Sequence, residues 1–239
     1  MYLDALVFAS HPDDAELAMG GTIAKFNKEN LKVGIIDLTR GELGTRGTAE
    51  TRQKEAFESA IILKTSVREN LDLPDGNIAN TKENLIKIIM VIRKYKPKII
   101  FAPYFNDRHP DHIDASKLVK RAMFSTGLQK IKTFDKEVPQ AAYRPAKLMY
   151  YMQTYTFKPS FIVDISDTFQ LKMDAVKSYS TQFHNPKSVE PETFISKPGF
   201  LNYIESRAVF YGFQIGKNYG EAFFCEEEIE MNIKNLFDS

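Results

Sequence analysis

The sequence predicts an α/β fold built on a mostly parallel sheet, and three observations carry that prediction. Continuously apolar, β-prone runs alternate with helix-patterned stretches through the first half of the chain. Runs of that kind suit strands buried on both faces, and their alternation with helices implies right-handed βαβ crossovers. The tripeptide His-Pro-Asp occurs twice, as His11-Pro12-Asp13 and His109-Pro110-Asp111, each time a few residues or less after an apolar, β-prone run. Both copies therefore fall where a strand turns into a helix, the edge at which open α/β sheets bind ligands.

Taken in order, residues 3–9 read as a buried strand and residues 14–30 as a helix. Gly20 and Gly21 weaken that helix by about 1 kcal/mol each relative to alanine, so they imply a close approach to neighbouring backbone. Residues 33–38 form a second buried strand, 48–63 a helix and 67–71 a short third strand. Thr81 caps the next helix, whose Leu85, Ile88, Ile89 and Ile92 share one face. Residues 98–102 supply the fourth strand. Pro110 fits the first position of a helix, with Ala115, Leu118, Val119, Ala122 and Met123 as its buried stripe and Gly127 as its stop.

The second half is less regular. Residues 128–146 read as loop, followed by strands over 147–153 and 161–165 and a helix over 168–179 that turns Phe169, Met173 and Val176 inward. A last helix starts at Ser196-Lys197-Pro198 and carries Leu201, Ile204, Ala208, Tyr211 and Ile215 along one face. Between these helices, the polar segment 182–193 suits a loop over a site. With no linker and no repeat, a single domain over residues 1–239 is expected.

Composition narrows the function classes. Lys and Arg number 32 against 31 Asp and Glu, a formal net charge of +1, which argues against a dedicated nucleic-acid binder. No apolar stretch approaches the ~20 residues needed to span a bilayer, and the N-terminus lacks the basic region of a signal peptide. The single cysteine, Cys225, permits no internal disulfide and reads as an inert buried thiol, so a reducing, cytoplasmic location is expected. Glu226, Glu227 and Glu228 read as a solvated face.

The chain has four histidines, and three lie in the two His-Pro-Asp segments. A lone His-Pro-Asp is an ordinary turn; two at βα junctions, holding most of the histidines, point to one shared metal site. A catalytic zinc site takes three protein ligands from His and carboxylate and leaves one position open. His11, Asp14 and His112 meet that demand, because the fourth strand can neighbour the first in a doubly wound sheet. Asp13 then lies beside the ion as a general base for a water acidified toward pKa ~7. His109, at a helix start whose dipole disfavours imidazolium, can steady an oxyanion, with Asp111 as its carboxylate partner.

Weaker signals surround this centre. The loop Gly41-Glu42-Leu43-Gly44-Thr45-Arg46-Gly47 lacks the ending of a P-loop and the spacing of a dinucleotide fingerprint, and reads as a glycine-turned loop placed to touch substrate. Arg52 and Arg108 are candidates to grip a substrate carboxylate. Gln153, at the end of the strand over 147–153, is a third candidate substrate contact. His184 has no such context and reads as a loop residue.

These residues resemble the LmbE-like (PIG-L) family of zinc-dependent N-deacetylases. The likeness rests on Ala9-Ser10-His11-Pro12-Asp13-Asp14, with a serine where the family carries a small apolar residue, and on Asp107-Arg108-His109-Pro110-Asp111-His112. It extends through the segment from Asp37 to Gly47, Asn70-Leu71-Asp72-Leu73-Pro74-Asp75-Gly76, Phe157-Lys158-Pro159 and Gln182-Phe183, a combination similar to the bacillithiol-pathway N-acetylglucosaminyl-malate deacetylases. The resemblance implies a Rossmann-like layer and zinc (or Fe²⁺ or Co²⁺) on His11, Asp14 and His112. It also implies Asp13 as base, His109 supported by Asp111, and a homo-oligomer, trimer or hexamer. The expected activity is removal of an N-acetyl group from an N-acetylglucosamine conjugate, most directly the malate glycoside. The alternatives are a chito-oligosaccharide or inositol conjugate, or a non-catalytic, metal-stabilised binding module.

Overall fold

The computed structural model describes residues 1–186 and 188–230. Four βα units open the chain: β1 (Ala5–Ala9) with α1 (Asp14–Lys28), β2 (Val33–Asp37) with α2 (Ala49–Ile62), β3 (Val67–Asn70) with α3 (Lys82–Tyr95), and β4 (Ile99–Pro103) with α4 (Pro110–Ser125). There follow a short hairpin, β5 (Phe134–Asp135) and β6 (Val138–Pro139), then β7 (Lys147–Tyr151), β8 (Phe161–Asp164), α5 (Phe169–Lys177), α6 (Phe200–Gln214) and β9 (Gly220–Cys225). The main sheet has seven strands in the order β3-β2-β1-β4-β7-β9-β8. All pairings from β3 to β7 are parallel, with Ala9 opposite Asp37 and Val7 opposite Phe101.

Strand β1 lies at the centre because both its faces are apolar. Leu6 and Phe8 pack with the side chains of α3 and α4, while Ala5, Val7 and Ala9 pack with α1 and Ala175 of α5. Each fully buried large side chain contributes about 1.5–3 kcal/mol, so a strand covered on both faces is anchored wherever its register is set. The chain winds outward from β1 through β2 and β3, then crosses to place β4 on the other side. That reversal makes the β1/β4 pair the topological switch point, and both His-Pro-Asp segments emerge from it.

The second half departs from the sequence expectations in three places. β9 joins the sheet antiparallel to both β7 and β8, so the sheet is mixed at this edge. Its sequence GEAFFC hides the strand because Gly220 and the buried Glu221 interrupt the apolar pattern. The expected loop over 128–146 contains the β5–β6 hairpin. The last helix begins at Phe200 rather than Ser196, with Ile204, Ala208 and Tyr211 buried and Ile215 half-exposed. His184 is exposed in a loop and Cys225 is buried at the end of β9, as expected. No helix among the described residues is long and apolar enough to cross a membrane.

Candidate metal centre and catalytic cleft

β1 runs out at Ala9, and the chain turns through Ser10 to Asp13 before α1 begins. Asp13 holds the N-cap position with φ 114° and ψ −26°, left-handed backbone that a residue with a side chain enters at a cost of about 1–3 kcal/mol. Asp14 opens the helix and accepts the His11 backbone N–H at 2.9 Å. After β4, His109 caps α4 and Pro110 occupies its first turn, which turns His112 back toward β1. The Ser10 hydroxyl donates to the Asp111 carbonyl at 3.3 Å and ties the two segments together.

His11, Asp14 and His112 converge. Their ligand atoms lie within 4.8 Å of one another, with His11 Nδ1 3.5 Å and His112 Nε2 3.3 Å from the two oxygens of Asp14. Two imidazoles and a carboxylate, all buried, form a donor set that could hold a divalent ion of nitrogen and oxygen preference.

The far nitrogen of each ring meets a carboxylate. His11 Nε2 lies 3.0 Å from Asp75 and 3.2 Å from Asp111, and His112 Nδ1 lies 2.9 Å from Asp107. Such pairing orients each ring and, in the neutral form that binds a metal, puts the proton on the outer nitrogen and the lone pair on the inner one. Asp75 also accepts the Leu43 N–H of the glycine-rich loop, and Asp107 accepts the N–H groups of His109, Thr154 and Tyr155. Asp75 and Asp107 had no predicted role; their signal was their place inside the Leu-Pro-Asp-Gly and Asp-Arg-His-Pro segments. Asp111 faces His109 through its backbone N–H, and its charge works against the lowering that burial imposes on that ring, but its carboxylate makes its hydrogen bonds elsewhere. Its carboxylate serves His11 and the Gly76 and Ile78 amides, because the first turn of α4 points it down toward β1.

The charges follow from this packing. Burial opposes charge on His112, but Asp14 and Asp107 outweigh it and push the ring up to about 9. His11 is raised by Asp111, Asp14 and Asp75 against the same desolvation. Asp14, although buried, is held well below the usual carboxylate range by His112 and His11. Asp13 is the exception. Burial lifts it to about 7, Arg52 pulling the other way and Asp14 adding to the rise.

His109 Nδ1 accepts the Asp111 backbone N–H at 3.2 Å, so the neutral ring carries its proton on Nε2. Burial lowers its pKa, and the neighbouring His11 and His112 rings lower it further. Arg52 is buried with Nη2 3.2 Å from Asp13 and donates to the carbonyls of Pro12 and Gly41. Its Nη groups are thus engaged by Asp13 and two backbone carbonyls. Gly41 allows this approach: at φ 67°, a Cβ there would lie 2.0 Å from Arg52 Nη1. Arg108 is exposed, has no carboxylate partner among the described residues, and stacks 4.5 Å from the Phe194 ring centre.

All nine predicted positions except Asp111 line one cleft of about 430 Å³. The glycine-rich loop contributes Leu43, Gly44 and Thr45, and the polar loop contributes Gln182 and Thr193. Phe194, Ile195, Phe200, Tyr203 and Arg207 also line the wall and escaped sequence reasoning, which follows only the apolar face of the last helix through Leu201, Ile204, Ala208, Tyr211 and Ile215.

The sequence and the fold are similar to those of known proteins. A diacetylchitobiose deacetylase of Thermococcus kodakarensis is 32% identical over 232 residues, spanning 90% of this chain and 80% of that one. The chain belongs to the PIG-L deacetylase family. The PIG-L model, GlcNAc-PI de-N-acetylase, matches residues 6–123, which contain both His-Pro-Asp segments. Among solved structures, a conserved protein from Thermus thermophilus superposes with TM-score 0.86 at 36% identity, covering 96% of this chain and 97% of that one. The N,N′-diacetylchitobiose deacetylase from Pyrococcus horikoshii gives TM-score 0.78 at 28% identity, covering 92% and 82%. The PIG-L fold therefore extends beyond the matched segment to the second half of this chain.

Proposed function

We propose that this protein is a metal-dependent amide hydrolase that removes the N-acetyl group from an N-acetylglucosamine conjugate. The observation that carries the reading is Asp13, a carboxylate outside the ligand set, lining the cleft beside His11, Asp14 and His112 with its pKa lifted to about 7. A non-catalytic metal module gives no reason for that carboxylate or its strained backbone.

A divalent ion on His11, Asp14 and His112, zinc by family resemblance, would supply Lewis acidity to the amide carbonyl and to water. Asp13 takes the proton of the attacking water, and a base titrating near neutrality is well matched to that work. The same carboxylate returns the proton to the departing nitrogen, releasing acetate and a free amine. His109 donates from Nε2–H to the oxyanion that develops on the acetyl oxygen. Arg52 holds Asp13 in place and favours its ionised form.

Diacetylchitobiose or a short chito-oligosaccharide is the substrate that the named relatives support. The malate conjugate is the second reading, favoured by Arg108, an exposed cation lining the cleft with no carboxylate partner among the described residues. An amine-release assay over diacetylchitobiose, the malate glycoside and the inositol glycoside, run with elemental analysis, tests both levels. Absence of bound metal, or of amine from every member, would overturn the proposal. Asp13→Asn should keep its metal and lose turnover by about 100- to 10,000-fold, the usual contribution of a positioned base. An active Asp13→Asn protein would remove Asp13 from that role.

A further inference from the structure

We infer that the Gln153 carboxamide donates a hydrogen bond to a hydroxyl oxygen of the sugar and so sets which glycoside the cleft accepts. The inference rests on the N-acetylglucosaminide reading of the site. Among the described residues, the buried polar side-chain atoms without a hydrogen-bond partner include two on cleft-lining residues, Arg52 Nε and Gln153 Nε2. The Arg52 guanidinium already engages Asp13 and two carbonyls through its Nη groups. The Gln153 amide nitrogen has nothing. A buried amide donor is normally satisfied, so one left unpaired in the wall of a cleft gains its partner when a bound ligand draws the carboxamide round to meet an acceptor.

The backbone around Gln153 is fixed on both sides. Its carbonyl accepts from Arg207 Nη1, and Arg207 Nη2 donates to the Leu17 carbonyl of α1 at 2.9 Å. The next two amides, Thr154 and Tyr155, donate to Asp107 Oδ2 at 2.8 and 3.3 Å, the carboxylate that also orients His112. The backbone that carries this donor is therefore held in a set relation to the candidate metal ligands, as the support of a group that reads a substrate must be. A carboxamide is neutral, so the acceptor it suits is an uncharged oxygen such as a sugar hydroxyl, in contrast to the carboxylate that Arg108 suits.

The probes are N-acetylglucosamine and its monodeoxy analogues, each lacking one ring hydroxyl. Their affinities for the metal-loaded protein are measured by ligand-observed NMR, with acetate release followed in parallel. One analogue should bind about tenfold more weakly than the parent sugar, the loss of a single hydrogen bond whose protein partner is left unmade. Gln153→Met, similar in length, should show that loss for the parent sugar and no further loss for that analogue. Gln153→Glu, which removes the donor, should do the same. Equal affinity of the native protein for every analogue, or variants that weaken all probes alike, would overturn the inference without needing a perfectly folded variant. The expected pattern without acetate release would leave Gln153 assigned and remove the deacetylase reading instead.

Discussion

Asp13 shows how opposing forces meet in one side chain. Burial raises its pKa, and the Arg52 guanidinium at 3.2 Å lowers it. As the proposed base, Asp13 must be ionised to accept a proton, so the acid limb of the kcat/KM profile should follow this group. Arg52→Met removes the cation that favours the carboxylate, so the limb should move to higher pH. A bound metal ion lowers the limb of both proteins and leaves the sign of the shift unchanged. A limb that stays in place in Arg52→Met would assign it to another residue. Asp107 acts on the opposite side of the centre, holding the His112 ring through Nδ1. Asp107→Asn should weaken metal affinity by about 10- to 100-fold, as outer carboxylates on ligating histidines do, measured by competition with a chromogenic chelator. Unchanged affinity would break the link between the two.

Among the elements, α1 decides the geometry of the cleft because it carries Asp14 and is not one continuous helix. Met19 leaves helical conformation at φ −144° and ψ 23°, which frees backbone groups on both sides of the break. Glu221 of β9 accepts the Gly21 and Thr22 N–H groups at 3.1 and 2.7 Å, acting as the cap of the second segment. Lys172 of α5 pairs with Glu221 at 2.5 Å and also donates to the Leu17 carbonyl at 3.0 Å. Gly21 lets α5 and its preceding loop close in, since a Cβ there would lie 2.7 Å from Ile165. Lys172→Met would strand Glu221 as a buried, unpaired charge. The expected cost is about 3–5 kcal/mol, read from urea unfolding. A loss below about 1 kcal/mol, the size of a surface pair, would show that the break is held by packing alone.

At the scale of the molecule, the candidate metal centre joins two βα units distant in sequence but adjacent across β1 and β4. An ion that binds only the folded arrangement adds stability by mass action, about 2.7 kcal/mol at a hundredfold excess over its Kd. Chelation should therefore lower the melting temperature, and added zinc should restore it. The far-ultraviolet circular dichroism at low temperature should stay unchanged, because the hydrophobic clusters on both faces of the sheet include none of the candidate ligands. Loss of secondary structure on chelation would instead make the ion part of the fold.

The sequence by itself determined the parallel half of the sheet, the switch point and the three converging candidate ligands. Each of these follows from local patterns, namely buried strands, helix caps and His-Pro-Asp at a strand end. Tertiary structure alone decided which carboxylate serves which ring. Asp111 turned to His11, Asp75 and Asp107 became orienting partners, and Arg52 closed on Asp13, because those pairings depend on loop and first-turn directions that no spacing encodes. Strand β9 was hidden for the same reason. Its buried Glu221 looks wrong for a strand until the broken helix it caps is packed against it.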